Sequence, residues 1–269
     1  MTPPRILSIA GSDSSGGAGI QADIKTITMM GGYAMTAITA ITAQNSLGVT
    51  RVEALSPEMV AAQIEACVTD IGVDAVKIGM LGSARIAHLV ADRLEALAMP
   101  VVLDPVMVAT SGAVLADAET VAAFARLMRL AAVTTPNVPE LEALSGCAIT
   151  DEASLRHAAE TLLRVTGAAA LLAKGGHLPS TAAASVHDRL YARSPEGHLA
   201  EWAFDHPRIE TRHSHGTGCT LASAIAVGLA RGESLPESVR AAGDFVHAAL
   251  RAAPGFGAGH GPMGHQAVR

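Results

Sequence analysis

The sequence predicts an α/β fold: a mostly parallel central sheet with helices on both faces and a small antiparallel strand element. Three observations predict it. Short apolar runs rich in β-branched residues alternate with longer Ala/Leu-rich segments along most of the chain, and such alternation builds parallel sheets covered by their connecting helices. Many of the short runs end on a small or polar residue, as at Gly11, Gly79, Asp104, Asn137 and Lys174. Hydrophobic residues make up 49% of the 269 residues and aromatics only 3%, so a sizeable core must be built from Ala, Val, Leu, Ile and Met.

Taken in order, Arg5 to Ala10 is a β-branched run that reads as the first strand. Gly19 to Met30 follows as a helix, opened by Ser14-Ser15-Gly16-Gly17. The spacing then predicts a strand over 33–43, a helix over 57–72, a strand over 75–78 and a helix over 84–98. Next come a strand over 101–104, a helix over 117–130, a short strand over 133–135 and a helix over 139–144. A helix over 154–165 and a strand over 169–173 precede two or three antiparallel strands within 183–210. Helices over 217–230 and 235–252 close the pattern. Nothing divides the chain, so 1–269 is expected to form a single domain, with a loosely ordered Gly- and His-rich tail over 255–269.

Several classes are set aside by composition. Every long apolar stretch is interrupted, as at Lys174, Arg126 and Arg129. No segment reaches the roughly 18–20 apolar residues that cross a bilayer. The segment Met1 to Ala10 is too short for a signal peptide. Cys67, Cys147 and Cys219 are odd in number and far apart, without a disulfide or zinc pattern, which suits a reducing cytoplasm. A net charge of −6 argues against a broad nucleic-acid surface. A small anion site stays open, because backbone N–H groups can supply local positive potential.

Ligands of open parallel sheets bind outside the carboxyl ends of the strands, where five motifs fall. In His215-Gly216-Thr217-Gly218-Cys219-Thr220, two glycines precede a helix whose free N–H groups make an anion cradle. Cys219 then sits in the first turn, where the helix field is expected to lower its thiol pKa and favour proton acceptance. The structural alternative is a glycine turn with a buried Cys. Gly11-Ser12-Asp13-Ser14-Ser15-Gly16-Gly17-Ala18-Gly19 joins strand to helix but has neither GxGxxG nor P-loop spacing. It also reads as a helix-capping loop.

Asp104, ending the run Val102-Leu103, is a candidate Mg²⁺ or water-shell ligand, or else a turn Asp. In Thr135-Pro136-Asn137-Val138-Pro139-Glu140, Glu140 is either a ligand of hydrated Mg²⁺ or a dipole-favoured helix-start residue. Lys174, before Gly175-Gly176, either neutralises a transferring phosphate or is a solvated turn residue.

Together these motifs resemble the ribokinase-like superfamily, and within it the hydroxymethylpyrimidine/phosphomethylpyrimidine kinases of thiamine biosynthesis. The landmarks are AGSDSSGGAGIQADIK (10–25), TAITAQNSLG (39–48), VKIGMLG (76–82), VLDPVMVATSG (102–112), TPNVPE (135–140), AKGGH (173–177) and HGTGCT (215–220). The resemblance implies a cytoplasmic kinase that uses ATP and Mg²⁺ to phosphorylate 4-amino-5-hydroxymethyl-2-methylpyrimidine, then its monophosphate. It implies that Gln44 hydrogen-bonds the pyrimidine edge and that Gly11, Ala18, Met80 and Val106 line the substrate pocket, with Asp23 a weaker candidate. Lys174, Asp104 and Asn137 are expected to serve the nucleotide, and Asp104 and Glu140 the metal. Gly216, Thr217, Gly218 and Cys219 are expected to stabilise the transferring phosphoryl group, with Cys219 as base. A homodimer follows by family analogy, with no nucleic-acid or membrane partner. Cys219, where many superfamily members carry Asp, is shared with some pyridoxal kinases, so a pyridoxal/pyridoxine kinase is the alternative. A non-catalytic nucleotide-binding protein is a third reading, against which Cys219, Lys174 and Asp104 count.

Overall fold

The alternating pattern folds as one nine-stranded sheet in the order β3-β2-β1-β4-β5-β6-β7-β8-β9. The strands are β1 (Arg5–Asp13), β2 (Tyr33–Asn45), β3 (Gly48–Ala54), β4 (Ala75–Ile78), β5 (Val101–Leu103), β6 (Val133–Thr134), β7 (Ala170–Ala173), β8 (Ser185–Arg193) and β9 (Leu199–Pro207). The helices are α1 (Gly19–Met29), α2 (Pro57–Ala66), α3 (Ala84–Leu94), α4 (Ala118–Leu130), α5 (Val138–Ser145), α6 (Glu152–Thr166), α7 (Thr217–Ala230) and α8 (Leu235–Arg251). This is a computed structural model, and it describes residues 2–108, 112, 115–175, 185–193 and 198–268. The motif segments 109–111 and 176–177 lie outside the described residues.

Strands β2, β1, β4, β5, β6 and β7 run parallel, while β3, β8 and β9 are antiparallel at the two edges. The pleat sends successive side chains to opposite faces. In β1, Leu7 and Ile9 join the core under α2–α6, whereas Ile6 joins the core under α1, α7 and α8. Nearly continuous burial along β4, β5 and β7 is what a sheet covered on both faces requires. Ser and Asp caps stop helices from fraying: Ser56, Ser83, Asp117 and Asp151 each accept a backbone N–H of the following helix.

Four expectations are corrected. The strand β3 was not anticipated, because Gly48–Ala54 is almost wholly exposed and pairs on one side only, leaving no apolar alternation to read. The helix expected over 57–72 leaves α geometry after Ala66 and finishes as a π turn over Cys67–Ile71. The helix expected to reach Ala98 stops at Leu94. Within the tail expected to be loose over 255–269, residues 262–265 are anchored: Pro262 pairs with His215, and Met263 and His265 are buried, while 255–258 are exposed. His265 Nε2 lies 2.8 Å from Thr220 Oγ1 in the first turn of α7, a contact no local sequence pattern announces.

The strand order reverses around β1. From there one chain direction leads through α1 to β2, and β4 lies on the other side. At such a switch point the loops diverge and leave a crevice at the strand ends. Helix α7 lies over this region, contacting β1, β4 and β5.

Candidate active site

A cavity of about 830 Å³ opens in that crevice. Every residue expected to contact a ligand lines it: Gly11, Ala18, Gln44, Met80, Asp104, Val106, Asn137, Glu140, Lys174, Gly216, Thr217, Gly218 and Cys219. The weaker candidate Asp23 does not. It is fully buried beneath the site, where it accepts hydrogen bonds from Lys77 Nζ (2.9 Å), Ser8 Oγ (2.6 Å) and Ser223 Oγ (2.8 Å).

The start of α7 forms one wall. Gly216 is its N-cap in the left-handed region, φ +88°, and no side chain caps the helix start, although Thr217 N donates to the Ser214 carbonyl at 3.3 Å. A Cβ there would collide with the Gly17 carbonyl, so only glycine brings the two glycine-rich loops together. A Cβ at Gly218 would stand 3.1 Å from Lys174 Nζ and 3.3 Å from Asp104 Oδ2. The uncapped helix start therefore faces the charged residues that end β5 and β7.

Those residues form a cluster. Lys174 Nζ donates to Asp104 Oδ1 at 2.8 Å and lies 3.9 Å from Glu140 Oε2. Asp104 Oδ1 also accepts from Thr135 Oγ1 at 3.1 Å. Asn137 and Glu140 form a reciprocal capping box: Glu140 N donates to Asn137 Oδ1, and Asn137 N donates to Glu140 Oε2. The helix-start reading of Glu140 is thus correct locally, and its carboxylate still faces the cavity. Burial lifts its pKa to about 7, with Asp104 adding to the rise and Lys174 opposing it. Two carboxylates sharing one ammonium leave surplus negative charge that a cation would neutralise, so the residues present fit a Mg²⁺ ion. Among the described residues no cluster of three or more His, Cys, Asp or Glu is arranged for a metal.

Cys219 departs from expectation. Burial pushes its thiol up to about 11, although Lys77 and a backbone hydrogen bond from Gly19 pull it down. Desolvation disfavours the thiolate more than the helix field favours it. In the ligand-free protein Cys219 is therefore a thiol.

At the other end, Met80 lies against Gly11, where β1 bulges between Ala10 and Ser12. A Cβ at Gly11 would collide with the Met80 Cε. Gln44 Nε2 lies 3.2 Å from His215 Nε2, and His215 Nε2 lies 2.9 Å from Asp13 Oδ2. Asp13 also gathers the glycine-rich loop through Ser15 N and Oγ, Gly17 N and Ala18 N. Burial raises its pKa, but the hydrogen bonds from His215, Ser15 and Ala18 outweigh this and hold it below the usual range.

Sequence reasoning assigned no role to Asp13, His215, Lys77 or Thr135. Asp13 had a signal, since Asp before Ser-Ser-Gly-Gly is a turn former whose carboxylate accepts nearby N–H groups. His215 had none, because 202 residues separate it from Asp13.

A cavity at the strand ends, with a helix start, a lysine and two carboxylates at one end and hydrogen-bonding groups at the other, defines a small-molecule phosphotransferase of the ribokinase-like arrangement. The phosphomethylpyrimidine kinase family profile matches residues 13–264, and the chain belongs to that family. It is 49% identical to the hydroxymethylpyrimidine/phosphomethylpyrimidine kinase of Rhizobium meliloti, covering 96% of each chain. It is 48% identical to the thiamine biosynthesis bifunctional protein ThiED of Geobacter sulfurreducens, over 97% of this chain and 52% of that longer protein. An ADP complex of Bacillus subtilis pyridoxal kinase superposes with a TM-score of 0.87 at 34% identity, covering 100% of this chain and 99% of that one.

Proposed function

We propose that this enzyme transfers the γ-phosphoryl group of ATP to the hydroxymethyl oxygen of 4-amino-5-hydroxymethyl-2-methylpyrimidine, then phosphorylates the monophosphate to the diphosphate used in thiamine diphosphate biosynthesis. One observation carries this reading. A single cavity joins an uncapped helix start facing Lys174 and Asp104 to a side-chain amide, Gln44, that can pair with an aminopyrimidine edge.

Phosphoryl transfer is mostly positioning and charge stabilisation. In this reading the N–H groups of Gly216–Cys219 and the Lys174 ammonium hold the charge that develops on the transferring group. Asp104 keeps the ammonium in place, and Asn137 with Glu140 shapes the nucleotide end. Asp104 and Glu140 would hold Mg²⁺, which neutralises phosphate oxygens. Gln44 pairs with the ring, while Gly11, Ala18, Met80 and Val106 pack around it. Cys219 rests as a thiol; it first gives its proton to bulk water, and the thiolate then accepts the hydroxyl proton as the O–P bond forms, which returns it to the thiol.

The likeness to a pyridoxal kinase supports a second reading, pyridoxal or pyridoxine as acceptor at the same site. Both are separated by incubating the enzyme with MgATP and each alcohol and weighing the products. One and then two added phosphates on the pyrimidine are expected. Phosphorylation of pyridoxal alone would replace the reading, and no product from any hydroxymethyl heterocycle would revive the non-catalytic one. Three free cysteines suit a reducing cytoplasm, and a homodimer is carried over from family analogy; gel filtration with light scattering tests the latter.

A further inference from the structure

The contacts around Gln44 contain a conflict that has one resolution. Asp13 Oδ2 lies 2.9 Å from His215 Nε2, and Asp13 is an ionised carboxylate that already accepts four hydrogen bonds from Ser15, Gly17 and Ala18. An acceptor-only group at that distance requires a hydrogen on Nε2, which the Nε2–H tautomer and the charged ring both carry and the Nδ1–H tautomer does not. The Gln44 amide nitrogen lies 3.2 Å from the same Nε2. In that orientation two N–H donors oppose each other. At the other end, the carbonyl oxygen lies 3.2 Å from Thr42 Oγ1, whose single hydrogen has a shorter path to the Ser12 carbonyl at 3.0 Å.

The two ends of a glutamine amide are nearly isosteric, and hydrogen-bond partners decide between them. Turning the amide half a revolution satisfies every group. Gln44 Oε1 then accepts from His215 Nε2–H, shared with Asp13. Gln44 Nε2 donates to Thr42 Oγ1, and Thr42 donates to Ser12. One lone pair on Oε1 and one N–H on Nε2 remain for a ligand, in a fixed order.

We propose that His215, anchored by Asp13, is a positioning residue that locks the Gln44 amide with its oxygen toward the imidazole and so sets the site's selectivity for a 4-amino over a 4-oxo pyrimidine. The proposal rests on the pyrimidine-kinase reading for its substrate and on the local contacts alone for the lock. A 4-aminopyrimidine presents a ring-nitrogen acceptor beside an amino donor. Its 4-oxo analogue presents a ring N–H donor beside a carbonyl acceptor, the reverse order. A locked amide matches one and opposes the other. A freely turning amide matches both.

Two experiments test the halves separately. In ¹⁵N-labelled, ligand-free protein, the Gln44 side-chain NH₂ signal is identified by its loss in Gln44→Glu. Its nuclear Overhauser contacts are expected to run to the Thr42 methyl. Contacts to the His215 ring instead would overturn the lock, with or without any activity. In steady-state assays with MgATP, the wild type is expected to prefer the 4-amino over the 4-oxo alcohol by about 10²-fold or more in kcat/KM, the scale of leaving buried polar groups unpaired. His215→Leu should shrink that preference about tenfold or more, mainly through KM for the 4-oxo compound. His215→Gln, which keeps a donor, should restore much of it. An unchanged preference in His215→Leu, with far-UV circular dichroism showing the fold intact, sinks the selectivity half. If His215→Leu does not fold, His215→Phe and the wild-type spectrum decide. A wild type that phosphorylates neither pyrimidine removes the functional reading and the selectivity half together. Thr42 contacts would still uphold the lock.

Discussion

Two lysine–aspartate pairs lie beneath and beside the cavity, alike in geometry and different in consequence. Lys77 Nζ stands 2.9 Å from Asp23, and Lys174 Nζ 2.8 Å from Asp104. Both side chains of the first pair are 0% exposed, whereas Lys174 keeps 15% of its surface. Asp23 is saturated by Lys77, Ser8 and Ser223, which tie α1, β1, β4 and α7 together. Asp104 and Lys174 share their charge with Glu140 and face the open start of α7. Exposure and surplus charge, not the presence of an ion pair, separate a pair that can exchange partners with a phosphate from one that holds the sheet to its helices. The buried pair still bears on the site, because the Lys77 charge is the main influence that lowers the Cys219 pKa.

The largest effect is expected where the two pairs meet, at Cys219. Cys219→Ala should lower kcat by roughly 10²–10⁴-fold with little change in melting temperature, and near-normal turnover would remove its role as base. Next comes Lys77→Met, which strands Asp23 as an uncompensated buried charge. Chemical denaturation should show a loss of about 3–5 kcal/mol, largely recovered by adding Asp23→Leu. An equally stable Lys77→Met would mean the sealed pair is not structural. Lys174→Ala should do the converse, lowering kcat by roughly 10²–10³-fold at near-normal stability. If Lys174→Ala unfolded the protein and Lys77→Met only slowed it, the comparison would be inverted.

The smallest effect concerns Glu140. Its native pKa of about 7 lies above the ordinary 4.5, so the native state binds more protons than the unfolded chain between these values. Its contribution is fully present below pH 4.5 and is lost as pH rises through about 7. In ligand-free protein, stability should fall by about 1–3 kcal/mol across that window, and Glu140→Gln should flatten the slope. A slope unchanged in Glu140→Gln would assign the titration to another group.

Both lysines were legible as residues within or ending an apolar run, and only one was given a role. Lys174 was singled out because two glycines follow it. Lys77, inside VKIG, looked like part of a motif with no chemistry of its own. What divides them is burial on the α1/α7 face of the sheet, a property of packing. The edge strand β3 was missed for the opposite reason: it buries too little to leave a pattern.

The sequence by itself determined the parallel sheet and placed Gly11, Asp104, Asn137, Lys174 and Gly216 at strand ends, through local periodicity and the rule that parallel strands present their carboxyl ends to a common crevice. Gln44, Ala18, Met80 and Val106 were legible only through the family resemblance. Tertiary structure alone decided the protonation of Cys219, because burial overrides the helix field only once α7 lies over β1 and β4. It decided the anchoring of the tail through His265 and Pro262. It also brought Asp13 to His215 across 202 residues, a contact that depends on which loops the fold places together and that no local pattern encodes.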